Sequence, residues 1–352
     1  MRIAQVAPLY ESVPPRQYGG TERVVSYLTE ELVRLGHDVT LFASGDSITA
    51  SRLVPATAIA LRARDASNGG VVTDDIAPHV LLLQQLMRAI DAFDVVHYHT
   101  GYLHFPLSRL LGVPHLTTMH GRLDVPDLQP LFRAFRDVPL VSISNDQRTP
   151  LSFANWLATV YHGLPAKLYK PGAGNGGYLA FLGRISPEKR VDRAILVAER
   201  VGMELRIAAK IDEADRRYYE ERIRPLLQHS RVRFMGEIGD AEKGDFLGNA
   251  EALLFPIEWP EPFGLVMIEA MACGTPVIAF RRGSVPEIIN DGETGFIVDS
   301  VDAAVGAVQR LHTLDRSHCR RVFESRFLAP RMAEEYLEIY RQLTWNRDAA
   351  AA

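Results

Sequence analysis

The chain has 352 residues, 47% of them hydrophobic and 23% charged. That suits a globular protein of about two domains and excludes disordered and fibrous classes. Asp and Glu outnumber Lys and Arg by 43 to 39, for a net charge of −4, which argues against a protein that grips a nucleic-acid backbone.

Two cysteines, Cys273 and Cys319, lie far apart and exclude a disulfide framework. No apolar run reaches transmembrane length. The N-terminus turns into Ser12-Val13-Pro14-Pro15 too soon for a signal-peptide core, so a cytoplasmic protein is expected.

In chain order, Ile3 to Ala7 predicts a strand, and a loop follows from Tyr10 to Gly20. Val24, Val25, Leu28, Leu32 and Leu35 then recur at helical spacing. Gly36 stops that helix, and Asp38–Phe42 is β-branched and apolar enough for a second strand. Further strands are expected at Val95–His99, His115–Met119, Leu140–Ile143 and Val160–His162, with a helix over Val80–Phe93. His97 and His99 share one face of their strand and His104 follows, a spacing that suits zinc. No cysteine or acidic cluster completes a site, so no metal is expected. Satisfied histidines, or ligand-facing ones at the carboxyl end of the strand, fit better.

Leu168–Gly177 is dense in Gly and Pro and reads as a linker. Gly172, Gly174 and Gly177 spell G-x-G-x-x-G. A dinucleotide fingerprint follows a strand and opens a helix. These glycines precede a strand, so a flexible linker is the better reading.

The strand–turn–helix plan then repeats. Tyr178–Leu182 predicts a strand and Gly183-Arg184 a turn. Ser186 is placed as N-cap and Pro187 as the first helical residue of a helix running to about Arg200, with Leu205–Ala209 the next strand. Two such starts imply two doubly wound parallel sheets. Later strands fall at Val232–Met235, Ala252–Phe255 and Val277–Phe280, and helices at Arg216–Leu227 and Gly264–Ala272.

On this reading Lys189 is the third residue of a helix, opposing its dipole by roughly 0.3–1 kcal/mol, with Arg184 just upstream. Either an anion sits among these cations and free N–H groups, or Lys189 is a solvated lysine beside Glu188. In Pro256–Pro276, Glu261 stands before a helix near the N–H groups of Phe263, Gly264 and Leu265. Glu269 falls in the middle of that apolar helix, where a carboxylate needs donors such as a sugar or ribose diol. One capping and one core-paired glutamate is the alternative. Arg281-Arg282 and Arg320-Arg321 read as solvated pairs.

Taken together, these residues resemble family 4 glycosyltransferases. Glu261-x7-Glu269, with Pro262-Phe263-Gly264-Leu265 between and Gly274-Thr275-Pro276-Val277 after, looks like the E-x7-E signature of that family. Gly183–Lys189 resembles its diphosphate-binding turn, and Gly283–Glu287 and Asp291–Phe296 its later motifs. In the first half, Gly19-Gly20-Thr21-Glu22 is similar to its glycine loop and Thr118-Met119-His120-Gly121 to its histidine turn. One departure is Arg190, where the family pattern usually continues with glycine after the lysine.

The resemblance implies an α/β GT-B fold of two Rossmann-like, doubly wound parallel-sheet domains facing across a cleft. The expected domains are 1–165, an acceptor domain joined by a C-terminal helix at about 330–345, a linker at 166–177, and a donor domain at 178–329. Met332, Tyr336, Ile339, Tyr340 and Leu343 give that helix an apolar face.

The implied activity moves a sugar from a nucleotide diphosphate sugar to an acceptor, with retention of configuration and without a metal or other cofactor. Carried onto this chain, His120, Arg184, Lys189 and Glu261 would be catalytic. Gly19, Gly20, Ile238, Phe263, Gly264, Leu265 and Glu269 would bind the donor. The partners implied are the nucleotide sugar and an acceptor of unstated chemistry, with no nucleic acid and at most peripheral membrane contact. A GT-B sugar-nucleotide epimerase or hydrolase would turn over donor without acceptor. A non-catalytic sugar-nucleotide binding protein would show no turnover, and a nicotinamide enzyme would bind NAD.

Overall fold

The computed structural model describes residues 1–67, 74–228 and 230–351. It divides into two compact units, Met1–Gly163 with Ala329–Ala352, and Leu164–Leu328.

In the first unit the strands are β1 (Arg2–Val6), β2 (Asp38–Ser44), β3 (Arg52–Thr57), β4 (Val95–Tyr98), β5 (His115–Thr118), β6 (Leu140–Ser142) and β7 (Trp156–Thr159). They form one parallel sheet in the order β3-β2-β1-β4-β5-β6-β7. Ile3, Ala4 and Val6 of β1 are all fully buried, as expected of a parallel strand covered on both faces. The helix Gly20–Arg34 buries Val24, Val25, Leu28 and Leu32. The C-terminal helix Ala329–Ala351 returns to this unit, packs against that helix and β4, and buries Met332, Tyr336, Ile339 and Tyr340.

The second unit contains β8 (Tyr178–Arg184), β9 (Glu204–Lys210), β10 (Val232–Gly236), β11 (Ala252–Phe255), β12 (Val277–Phe280) and β13 (Gly295–Val298). Its parallel order is β10-β9-β8-β11-β12-β13. Each sheet therefore has a switch point, β1/β4 in the first and β8/β11 in the second. The chain winds outward in both directions from these pairs, and their carboxyl ends are where doubly wound sheets take ligands.

Several expectations need correction. The strand placed at Val160–His162 lies earlier, at Trp156–Thr159. β3 and β13 were not anticipated: β3 carries Pro55 at a sheet edge, and β13 is embedded in a motif rich in turn residues. The helix expected over Arg216–Leu227 is broken into an α turn, a π turn at Tyr219–Ile223 and a 3₁₀ turn.

The glycine-rich segment is not a flexible linker. It belongs to the second unit, whose boundary falls before it at Leu164. Its amides at Gly172, Gly174 and Gly176 donate to Cys273, Gly248 and Asn249 carbonyls at 2.9–3.0 Å. A Cβ on Gly172 would stand 2.2 Å from the Gly248 carbonyl oxygen, so glycine lets two backbones touch. Arg316 ties the same place together through the Gly248 and Ala250 carbonyls, both at 2.9 Å.

Candidate functional site

In the second unit, the loops after β8 and β11 leave adjacent strands at the switch point. Arg184 is the last residue of β8 and the loop after it holds Lys189 and Arg190; the loop after β11 holds Glu258, Trp259, Glu261 and Gly264. The Glu258 amide donates to the Glu188 carbonyl at 2.9 Å. Arg190 reaches Glu258 at 2.7 Å, and Arg193 bonds the same carboxylate.

Lys189 is not inside a helix, as the sequence had suggested. The helix begins at Val191, and Ser186 is a fully buried residue upstream rather than its cap. The residue before the helix is Arg190, in the left-handed region at φ 53°. This is where the family pattern has glycine, and the backbone shows why. A side chain here is strained by roughly 1–2 kcal/mol, offset in part by the pairing of Arg190 with Asp192 at 2.9 Å and with Glu258.

Lys189 and Glu261 form a direct ion pair, both side chains mostly buried. The Trp259 indole N–H donates to the same carboxylate at 2.9 Å, and the ammonium lies 5.0 Å from the Trp259 ring centre. Glu261 is thus held by Lys189 and Trp259. Arg184 is surrounded by carboxylates: Glu188 at 2.5 Å, Asp215 at 3.2 Å and Asp212 at 3.5 Å.

The motif loop is braced from behind. The Ser284 amide donates to the Glu261 carbonyl at 2.9 Å and its hydroxyl to the Phe263 carbonyl at 2.7 Å. The Phe263 ring itself is core, 2% exposed. Gly264, at φ 78°, precedes the helix Leu265–Ala272 and leaves Leu265 as its first residue. Gly283 has φ 56°, and a Cβ there would lie 2.3 Å from the Glu261 nitrogen. The G-S-V-P-E and E-x7-E motifs are therefore one packed unit.

Glu269 is buried as foreseen, but its oxygens meet protein donors, the Lys243 ammonium at 3.0 Å and the Tyr169 hydroxyl at 3.4 Å. Neither partner was anticipated. A signal for Lys243 did exist: the chain has five lysines, and three of them, Lys189, Lys210 and Lys243, pair with carboxylates in this unit. Lysine presents a compact point charge where arginine would present a planar fork. Ile238 is buried just past Gly236 (φ 77°), at the end of edge strand β10. Arg320 is not solvated; it donates to the Ala272, Tyr169 and Ala166 carbonyls at 2.6–3.0 Å.

In the first unit, Gly19 lies against Pro15, where a Cβ would be 2.8 Å from the ring. Gly20 opens the following helix, whose Glu22 is buried. Burial, with Glu11 nearby, pushes the Glu22 carboxyl up to about 7. His97 is bonded to Thr118 and Tyr340, both at 2.7 Å. His104 is bonded to Thr117 at 2.7 Å. His120 is bonded to His99 at 2.9 Å and stacks on His162. Among the described residues no group of three His, Cys, Asp or Glu is placed to hold a metal ion. Burial pushes His120 down to about 3, so its ring is neutral. A cavity of about 220 Å³ lined by Arg2, Asp38, Arg52 and Phe93 lies at the amino ends of β1–β3, the end opposite the switch-point loops. Among the described residues no helix is long and apolar enough to cross a membrane.

The chain resembles known glycosyltransferases over most of its length. The family model described as "Glycosyltransferase Family 4" matches residues 18–215, and that described as "Glycosyl transferases group 1" matches residues 170–323. The chain is 27% identical over 360 residues to a phosphatidyl-myo-inositol mannosyltransferase of Mycolicibacterium smegmatis, covering 93% of this chain and 88% of that one. Among solved structures it is similar to AviGT4, a glycosyltransferase involved in avilamycin A biosynthesis, at TM-score 0.72 and 26% identity over 98% of both chains. It also shares its fold with Anabaena HepE, solved in complex with UDP and glucose, at TM-score 0.72 and 17% identity over 97% of this chain and 100% of that one. With two parallel-sheet domains of the GT-B fold and family-model matches from residue 18 to residue 323, the chain belongs to glycosyltransferase family 4.

Proposed function

We propose that this glycosyltransferase takes its sugar from a nucleoside diphosphate donor held at the β8/β11 switch point of the second unit. The carrying observation is the Lys189–Glu261 pair, which joins the diphosphate-type turn to the E-x7-E loop. A sugar leaving a diphosphate builds negative charge on the phosphate oxygen. Lys189 is already oriented by Glu261 and by the Trp259 and Phe255 rings, so it meets that charge without reorganising. Preorganised donors of this kind are worth about 10²–10³ in rate each.

Arg184 supplies the second cation, and Glu261 with the Gly264 and Leu265 amides takes the sugar hydroxyls. Glu269, with Lys243 and Tyr169 beside it, serves the ribose, Phe263 supports the loop from the core, and the Ile238 backbone meets the base. In the first unit, Gly19 and Gly20 offer backbone N–H groups, and His120 acts as a neutral hydrogen-bonding ring. Two fixed cations take the part a metal would play, so transfer proceeds in EDTA; retention of the anomeric configuration is carried over from the family resemblance alone.

The test is a thermal-shift series with UDP, GDP, ADP and dTDP and their sugars. A ligand at 100 times its Kd adds about 2.7 kcal/mol of stability. Stabilisation by one nucleotide family that is lost in Lys189→Ala supports the reading. No stabilisation by any of them overturns it.

A further inference from the structure

Within the first unit, hydrogen bonds run without a break from the C-terminal helix to His120. Tyr336 and Thr118 are joined at 2.8 Å, Thr118 and His97 at 2.7 Å, and His97 and Tyr340 at 2.7 Å. Gln5 then donates to Tyr340 at 3.0 Å, His99 meets the Gln5 carbonyl at 2.8 Å, and His99 meets His120 at 2.9 Å. Gln5, His97, Thr118, Tyr336 and Tyr340 are at most 1% exposed and His99 is 4% exposed. All three rings on the path, His97, His99 and His120, are held neutral by burial, so each carries a single N–H.

That constraint gives the chain a direction. Gln5 Nε2 donates to Tyr340, so Gln5 Oε1 accepts from His99 Nε2–H. The other nitrogen of His99, Nδ1, is then bare and accepts from His120 Nε2–H. His120 Nδ1 is left as a lone pair, buried and with no partner among the described residues. The opposite direction would place a buried, unpaired N–H at that same atom, which forfeits a hydrogen bond the donor had in water. Orphaned N–H donors are rarer than under-satisfied acceptors.

We infer that Gln5, His99 and Tyr340 are positioning residues that lock His120 in the Nε2–H tautomer, through a hydrogen-bond chain anchored in the C-terminal helix. His120 Nδ1 is consequently an acceptor. The tautomer does not rest on the proposed function.

The experiment is ¹⁵N-histidine NMR on the full, ligand-free chain. The expected spectrum shows His120 protonated on Nε2 and bare on Nδ1. Tyr340→Phe lets the Gln5 amide turn over, and Gln5→Leu removes the acceptor; both should convert the single tautomer into a mixture. Gln5→Glu still accepts from His99 and should restore the single tautomer, which a merely space-filling role for Gln5 would not do. A wild-type His120 carrying its proton on Nδ1 overturns the inference, and so does a tautomer unchanged in folded Gln5→Leu and Tyr340→Phe. If those variants fail to fold, the wild-type spectrum still decides the tautomer. The result is the same whether or not a sugar nucleotide binds, so it fails independently of the proposed function.

Discussion

The Lys189 ammonium and the Glu261 carboxylate, 72 residues apart, are bonded to each other at the carboxyl ends of adjacent strands. Removing one partner strands the other in a mostly buried place, where an unpaired charge costs about 3–5 kcal/mol. Lys189→Ala should lower transfer by about 10²–10³ and weaken nucleotide binding. Glu261→Ala should hurt transfer while leaving free nucleotide binding largely intact. Initial rates and nucleotide titrations of both variants check this; equal loss of binding in the two contradicts the assigned roles.

Arg190 offers a test of backbone strain at the phosphate-type turn. Arg190→Gly and Arg190→Ala both lose the ion pairs with Asp192 and Glu258, but only glycine is at ease at φ 53°. The glycine variant should be more stable than the alanine variant by about 1 kcal/mol, read from urea denaturation midpoints.

Gly283→Ala places a methyl group 2.4 Å from the Glu261 carbonyl oxygen. The E-x7-E loop must shift, so the variant should lose most transfer activity. Thermal melting should show destabilisation of about 1–3 kcal/mol. Wild-type rates and stability would show that the two motifs do not depend on each other.

Glu22 sets a pH dependence of stability. Burial raises its folded-state carboxyl to about 7, above an unfolded value of about 4.3. The folded protein binds the extra proton, so stability falls as pH rises between those values. The loss by pH 7 to 8 is on the order of 3 kcal/mol. Glu22→Gln should flatten that segment of the stability–pH curve, as measured by denaturation at pH 4.5, 6 and 7.5.

Much of this architecture was legible because parallel strands bury both faces and read as apolar runs, as Ile3–Ala7 and Ala252–Phe255 do. Glu269 was legible as a residue that needs partners because a carboxylate in an apolar helix violates local preference, whereas the parallel argument for Lys189 fails, since the helix starts only at Val191. The partners themselves were not legible. Glu269 finds Lys243 and Tyr169, 26 and 100 residues away, and no local pattern encodes such a meeting. Ser186 looked like a helix cap because its chemistry suits one, yet the helix starts after a left-handed Arg190 that no propensity favours. The glycine run looked loose because glycine serves equally for freedom and for close packing.

The first unit is assembled from two segments that flank the second, whereas Leu164–Leu328 is one uninterrupted stretch. During synthesis the later unit is therefore the earlier one to have all its residues outside the ribosome. The first sheet waits for the helix that begins at Ala329 before Gln5 can meet Tyr340. Gene dissection should follow the same logic: the stretch from Leu164 can be cut out whole, while a truncation at Leu328 deprives the opposite half of its buried tyrosines.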